Sequence, residues 1–284
     1  MPDDWRLADY CNVTYNTNNR VNGAELEFLK KRDAPYMETK FSIFFGRVEV
    51  VAQAAPGPGI ISSIVLWSSV LDEIDYEWRG SLDTIVQTNY FGKGITASYN
   101  RSTTVSVNKP MTAFHTYAFD WSATRLNFEI DGHIIRTLQK SDCNGKDIQY
   151  PQSPSKLALS LWDAGDPDNY NAWGGGKTPI PPPAGGYSYF IKSVKIWNSN
   201  PAASYTLTDK VGNANGWKLG TAPLPSSATV KSSAPTPQTF SNVPSLATLP
   251  PSATSAVTTV PTIPAGMSIL TLWLLSHLIS WNCI

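Results

Sequence analysis

The sequence predicts an all-β protein folded as a two-sheet sandwich. Short runs rich in Val, Ile, Phe, Tyr and Thr recur at close intervals, with Gly, Asn, Asp and Pro between them. No amphipathic helical stretch longer than a few turns interrupts the series, and Asp131-Gly132 is the kind of dipeptide that closes a two-residue hairpin. Many strands joined by tight turns bury their apolar faces most simply by packing one sheet on another.

In chain order the strand candidates are 41–45 (FSIFF), 48–53 (VEVVAQ), 60–67 (IISSIVLW) and 84–90 (TIVQTNY). Next come 114–121 (FHTYAFDW), then 125–130 and 134–138 flanking the Asp131-Gly132 turn, then 156–162 (KLALSLW) and 187–197 (YSYFIKSVKIW). Each run combines β-branched and aromatic residues, which suit a pleated, half-buried surface. Together with their connections they make one globular unit over residues 1–220.

Composition limits what this unit can bind. Hydrophobic residues make up 42% of the chain and charged residues 15%, and 22 basic side chains balance 22 acidic ones. No basic excess is available to hold nucleic acid. Ten Trp and twelve Tyr supply flat faces that fill cores and also stack on sugar rings. No His or Cys grouping has zinc spacing, and nothing calls for a metal or cofactor. Gly174-Gly175-Gly176-Lys177 lacks the spacing and following helix of a phosphate loop. His115 lies in an alternating strand run and is read as structural; His133 lies beside the hairpin turn.

Beyond the globular part, residues 221–265 turn to Ser, Thr, Pro and Ala with almost no charge or aromatic content. Such a stretch buries too little to offset its ordering entropy and reads as a disordered, O-glycosylated stalk. Residues 266–284 are apolar, without Lys, Arg, Asp or Glu, and end at the last residue. Behind a polar spacer and small residues, that is the pattern of a GPI-attachment signal; the alternative is a tail-anchored helix. No basic stop-transfer cluster flanks it. Residues 1–5 lack the charged start and apolar run of a secretory leader, so a leader upstream of Met1 is expected. The sequons at Asn12 and Asn100 fit secretion. If Cys283 leaves with the tail, Cys11 and Cys143 remain as either a disulfide or two thiols.

The chemistry concentrates in Leu71-Asp72-Glu73-Ile74-Asp75-Tyr76-Glu77-Trp78. On a strand, Glu73, Asp75 and Glu77 share one face, and Ile74, Tyr76 and Trp78 share the other. Paired carboxylates on one face are what glycoside cleavage with retention requires: one attacks the anomeric carbon and the other protonates the leaving oxygen. Glu73 and Glu77 have Cα atoms about 13 Å apart on a regular strand, a gap that long side chains on a twisted sheet narrow. Asp75 between them can hydrogen-bond the nucleophile and keep its neighbour protonated. The same three acids would also suit an acidic edge strand or a calcium site. Asn89 and Tyr90 could face sugar hydroxyls, with core packing as the alternative for Tyr90. Trp162 and Trp173 stand beside Gly- and Asp-rich segments, which suggests a rim.

These blocks resemble the family 16 glycoside hydrolases and, within them, the fungal Crh-type chitin–glucan transglycosylases. The resemblance runs through 44–50 (FFGRVEV), 54–66, 71–78, 89–94 (NYFGKG), 114–117, Asp120-Trp121, Ile130-Asp131-Gly132 and 161–167 (LWDAGDP), and covers about residues 24–197. It implies a concanavalin-like β-jelly roll with a concave substrate cleft. Glu73 would be the nucleophile, Glu77 the acid/base and Asp75 the assisting carboxylate. Trp162, Tyr170 and Trp173 would line the cleft. It further implies a monomer that takes a chitin-like donor and a β-glucan acceptor at the cell surface, held to the membrane only through a GPI lipid. A β-glucanase or chitinase-type hydrolase, or a non-catalytic wall protein, would use the same scaffold. The chain departs from the family pattern in a shortened loop at 165–173, in Ala172 where Glu is expected, and in the lead-in Trp67-Ser68-Ser69-Val70.

Overall fold

Two seven-stranded antiparallel sheets and a two-stranded hairpin account for the sixteen strands of the described residues. The computed structural model describes residues 3–8, 13–15, 21–95, 101–143 and 149–221. Asn12, Asn100, Cys11, Cys283, the hydrophobic tail and, apart from Thr221, the stalk lie outside them. In the first sheet, β1 (Trp5–Leu7), β4 (Tyr36–Thr39), β13 (Ser155–Asp163), β6 (Ile60–Ser68), β7 (Glu73–Arg79), β8 (Ile85–Phe91) and β9 (Thr103–Ser106) lie side by side. The second runs β12 (His133–Gln139), β11 (Arg125–Ile130), β10 (His115–Trp121), β5 (Gly46–Gln53), β14 (Tyr187–Asn198), β3 (Ala24–Phe28) and β2 (Val13–Tyr15). The hairpin pairs β15 (Ser204–Leu207) with β16 (Trp217–Gly220). This is the expected jelly-roll sandwich.

Aromatic side chains lock the two sheets together behind the carboxylate strand. Ile74, Tyr76 and Trp78 leave β7 on the core side and are fully buried. Tyr76 meets Phe119 at 5.1 Å between ring centroids and Phe128 edge-on at 5.5 Å, while Trp78 meets Tyr117 edge-on at 4.5 Å. The Tyr76 hydroxyl donates to the carbonyls of Ala118 and Glu129, so its polar tip is satisfied inside an apolar layer. At Asp131-Gly132 the backbone has φ of +51° and +80°, the mirror-image turn that matches strand twist. Asp131 also accepts from the Thr116 N–H and pairs with His115, whose other ring nitrogen lies 2.7 Å from the Asn108 carbonyl.

One expected strand is absent. Residues 41–45 instead carry the chain from the first sheet to the second, with only a single bridge from Ile43 to Ser155. Phe44 and Phe45 stack at 4.6 Å and are buried, and Phe45 sits at φ +59°. Asn198 and Asn200 side chains satisfy the Phe44 N–H and carbonyl, replacing a ladder. Apolar content here serves a crossover, not a pleat. Conversely, AELEF and YMET form β3 and β4 although both carry charge. Burying Glu38 on β4 is tolerated because Arg6, Lys156 and the Tyr36 hydroxyl all reach its carboxylate.

Candidate active site

A strand on the face of a two-layer sandwich normally alternates buried and open side chains, as β5 does. Strands β6 and β7 break that rule: nearly every residue is buried on both faces. The side of the first sheet turned away from the core therefore holds sunken side chains, and the three acids are among them. Glu73, Asp75 and Glu77 are 1%, 0% and 5% exposed.

Cross-strand pairing sets their neighbours, because directly opposed residues share a face. Glu73 lies between Trp67 on β6 and Phe91 on β8. Asp75 lies between Val65 and Asn89, and Glu77 between Ser63 and Gln87. One pleat further on, Ile61 separates Arg79 from Trp162. These rows cross the strands and form the floor of the site.

Strong desolvation marks the floor. Among the described residues Glu73 Oε1, Glu77 Oε1, both Asp75 carboxylate oxygens and Asn89 Oδ1 are buried and accept no hydrogen bond. Burial pushes Asp75 up to about 7, opposed by the Arg136 guanidinium. That guanidinium sits behind β8, donating to the Thr88 carbonyl and hydroxyl at 2.9 Å. Burial first, and the negative charge of Asp75 second, raise Glu73 well above the ordinary carboxylate range. Glu77 is raised by burial and then by Asp75 and Glu73, with Arg79 pulling the other way. The three acids consequently share protons instead of ionising independently.

The start of the strand is held just as firmly. Asp72, fully buried, accepts from Lys93 Nζ, the Lys93 N–H and the Gln152 N–H. Lys93 Nζ continues to Ser153 Oγ, which donates to the Gly212 carbonyl. Connections far apart in sequence thus converge one residue before Glu73.

Trp162 and Trp173 come together beyond Glu77, as parallel rings 6.2 Å apart with 13° between their planes. Trp173 rides on a short 3₁₀ turn, Ala172–Gly174, where its own backbone N–H is capped by Asn171 Oδ1. Its indole N–H donates to Gln87 Oε1, so the ring is tied to the row of Glu77. Asn89 stands opposite Asp75 on the acid face. Its neighbour does not: Tyr90 pairs with Ile74, lies on the core side and is 7% exposed, beneath the Arg101 and Arg136 guanidinium groups. Period-two alternation forbids both from sharing one face, which corrects the reading of Tyr90 as a cleft residue. Tyr170 is 45% exposed, and its ring carries Lys177 Nζ at 5.8 Å. Cys143 is a buried thiol donating to the Gln139 carbonyl. Asp72, Arg79 and Gln87 also belong to the site, beside the residues that the sequence singles out. Alternation points to two of them, Arg79 as the next residue on the face of 73, 75 and 77, and Gln87 as the residue two before Asn89.

The profile of Glycosyl hydrolases family 16 matches residues 7–177. Crh-like protein 5 of Aspergillus fumigatus is 48% identical over 194 residues, 67% of this chain and 48% of that protein. Crh-like protein 1 of the same organism is 47% identical over 218 residues, 74% and 58% of the two chains. The chain thus spans about half the length of these curated relatives. Among solved structures, that of Crh5 transglycosylase in complex with NAG superposes with a TM-score of 0.67 at 43% identity, covering 76% of this chain and 92% of the other.

Proposed function

The chain belongs to glycosyl hydrolase family 16, and from that premise we propose that it is a retaining transglycosylase of the cell wall, moving a chitin-like donor onto β-glucan. The observation that carries the reading is the burial of Glu73, Asp75 and Glu77 on one face of β7, beside an aromatic rim. NAG in the related transglycosylase structure supports a donor built of N-acetylglucosamine.

In this reading a Glu73 carboxylate oxygen attacks the anomeric carbon while Glu77 gives its proton to the departing glycosidic oxygen. The donor chain becomes an ester of Glu73. An acceptor hydroxyl then loses its proton to Glu77, its oxygen attacks the same carbon, and Glu73 leaves as the carboxylate. Asp75 shares a proton with Glu73: while Asp75 holds it, Asp75 donates to the nucleophile. The positive charge that grows on the sugar in the transition state favours ionised Glu73, despite the burial that opposes it. Trp162 and Trp173 offer stacking faces, and Asn89 an amide for hydroxyls; Tyr170 would act from the outer rim.

The catalytic domain in this proposal covers residues 1–220, with a glycosylated stalk at 221–265 and a GPI signal at 266–284, placing a monomer at the cell surface. The polar, charge-poor composition of the stalk and the apolar tail support it. Incubation with chitin oligomers and a labelled glucan acceptor tests the activity. Labelled hybrid is expected; free oligomers alone would reject transfer, and an active Glu73→Gln variant would reject the nucleophile.

A further inference from the structure

Arg79 is a charged residue on the floor of a site whose substrate is neutral. It continues the face of Glu73, Asp75 and Glu77, pairs across β6 with Ile61, and so lies one position from Trp162. Its guanidinium carbon stands 5.8 Å from the centroid of the Trp173 ring. Trp173 is itself immobilised, by its N–H on Gln87 and by the Asn171 cap at the start of its turn. Arg79 and two parallel indoles thus form one assembly next to Glu77.

The half-buried guanidinium finds no hydrogen-bond acceptor among the described residues. A cation–π contact with one ring satisfies none of its N–H bonds, which are left for solvent or a bound ligand. Arginine presents those donors as a rigid planar fork, suited to a fixed oxygen acceptor. The side chains facing Glu77 from neighbouring strands, Ser63 and Gln87, are uncharged, so Arg79 is the cation on this side of the acid/base.

We infer that Arg79 is a substrate-contacting specificity residue, donating to the acetamido carbonyl oxygen of an N-acetylated sugar stacked on the Trp162–Trp173 pair. An amide carbonyl is a stronger acceptor than a hydroxyl, and a charge-assisted bond to it separates acetylated from plain sugars. The inference rests on the transglycosylase reading of the same site. It adds that the sugar beside Glu77 is read by its acetyl group.

Binding measured in a Glu73→Gln background, where no turnover occurs, provides the test. Calorimetry compares chito-oligosaccharide, its deacetylated counterpart and a β-gluco-oligosaccharide on proteins carrying Arg79, Arg79→Lys or Arg79→Met, with thermal unfolding checked for each. Arg79→Met should weaken chito-oligosaccharide binding roughly tenfold to a hundredfold, leave gluco-oligosaccharide binding within about threefold, and be partly rescued by Lys. Unchanged chito-oligosaccharide affinity in a folded Met variant overturns the inference and leaves the transglycosylase reading standing. Equal losses for acetylated and plain sugars overturn the acetyl assignment. A parent protein that binds none of the three sugars overturns both readings. Should Arg79→Met unfold, Arg79→Leu, which also lacks a donor, takes its place with the same expected pattern.

Discussion

Lys93 Nζ lies 2.6 and 2.7 Å from the two carboxylate oxygens of Asp72, a buried ion pair one residue ahead of Glu73. Burial alone would push the Lys93 ammonium toward neutrality, and Asp72 counters that. Removing one partner leaves the other charge sealed away from water. Asp72→Asn or Lys93→Met should therefore cost about 3–5 kcal/mol of stability. The double variant should cost less than the two single losses combined. Denaturant unfolding of the three proteins measures this; strictly additive losses would reject a mutually compensating pair.

Asp75 gives the protein a stability that depends on pH. Its folded value of about 7 exceeds that of an exposed aspartate near 4, so between these limits the folded state holds the proton more tightly. The resulting stability is complete below about pH 4 and is lost as pH rises through about 7. Asp75→Asn has no proton to lose. It should be more stable than the parent at pH 8, by up to about 4 kcal/mol, and so melt at a higher temperature, with the gap closing at pH 4. Parallel melting curves that keep a constant gap would contradict the assignment.

The same substitution should move the pH–activity profile. Asp75 is among the groups that raise Glu77, so removing its charge lets Glu77 ionise at lower pH. The alkaline limb of kcat/KM, where the acid is lost, should shift toward acid in Asp75→Asn. Residual activity, though reduced, suffices to locate it. A limb that stays in place would detach Glu77 from the acid role.

Glu77→Gln separates proton donation from nucleophilic attack. Activity on polysaccharide should fall by roughly a hundredfold to ten-thousandfold. An aryl glycoside whose leaving group needs no proton should still release its phenol in the first step. Equal losses on both substrates would argue against Glu77 as the acid.

Trp173→Ala should raise KM for oligosaccharides with little effect on melting temperature, because the ring is half-buried on a surface turn outside the main core. Loss of one stacking face is worth about 1 kcal/mol or more. A large drop in stability with unchanged KM would make it a packing residue.

Much of this architecture was legible from residue patterns. Alternation in 73–78 places the acids opposite Ile74, Tyr76 and Trp78, and Asp131-Gly132 marks the hairpin, because both follow from local backbone geometry. Local geometry has no information about partners. In NY at 89–90, alternation says that one side chain faces the acids and the other the core; only pairing with Asp75 and Ile74 decides which. Residues 41–45 carry strand-forming side chains, yet the need to cross between sheets overrides them. Glu38 and Asp72 look like surface acids until Lys156 and Lys93, brought from other strands and loops, make their burial tolerable. Arg79 gained its meaning from Trp173, 94 positions along the chain. Where most strands run and how side chains alternate along them are set by nearest neighbours in sequence. The depth of the site, its shared protons and its unpaired donors are set by charges and rings that meet only when the two sheets close.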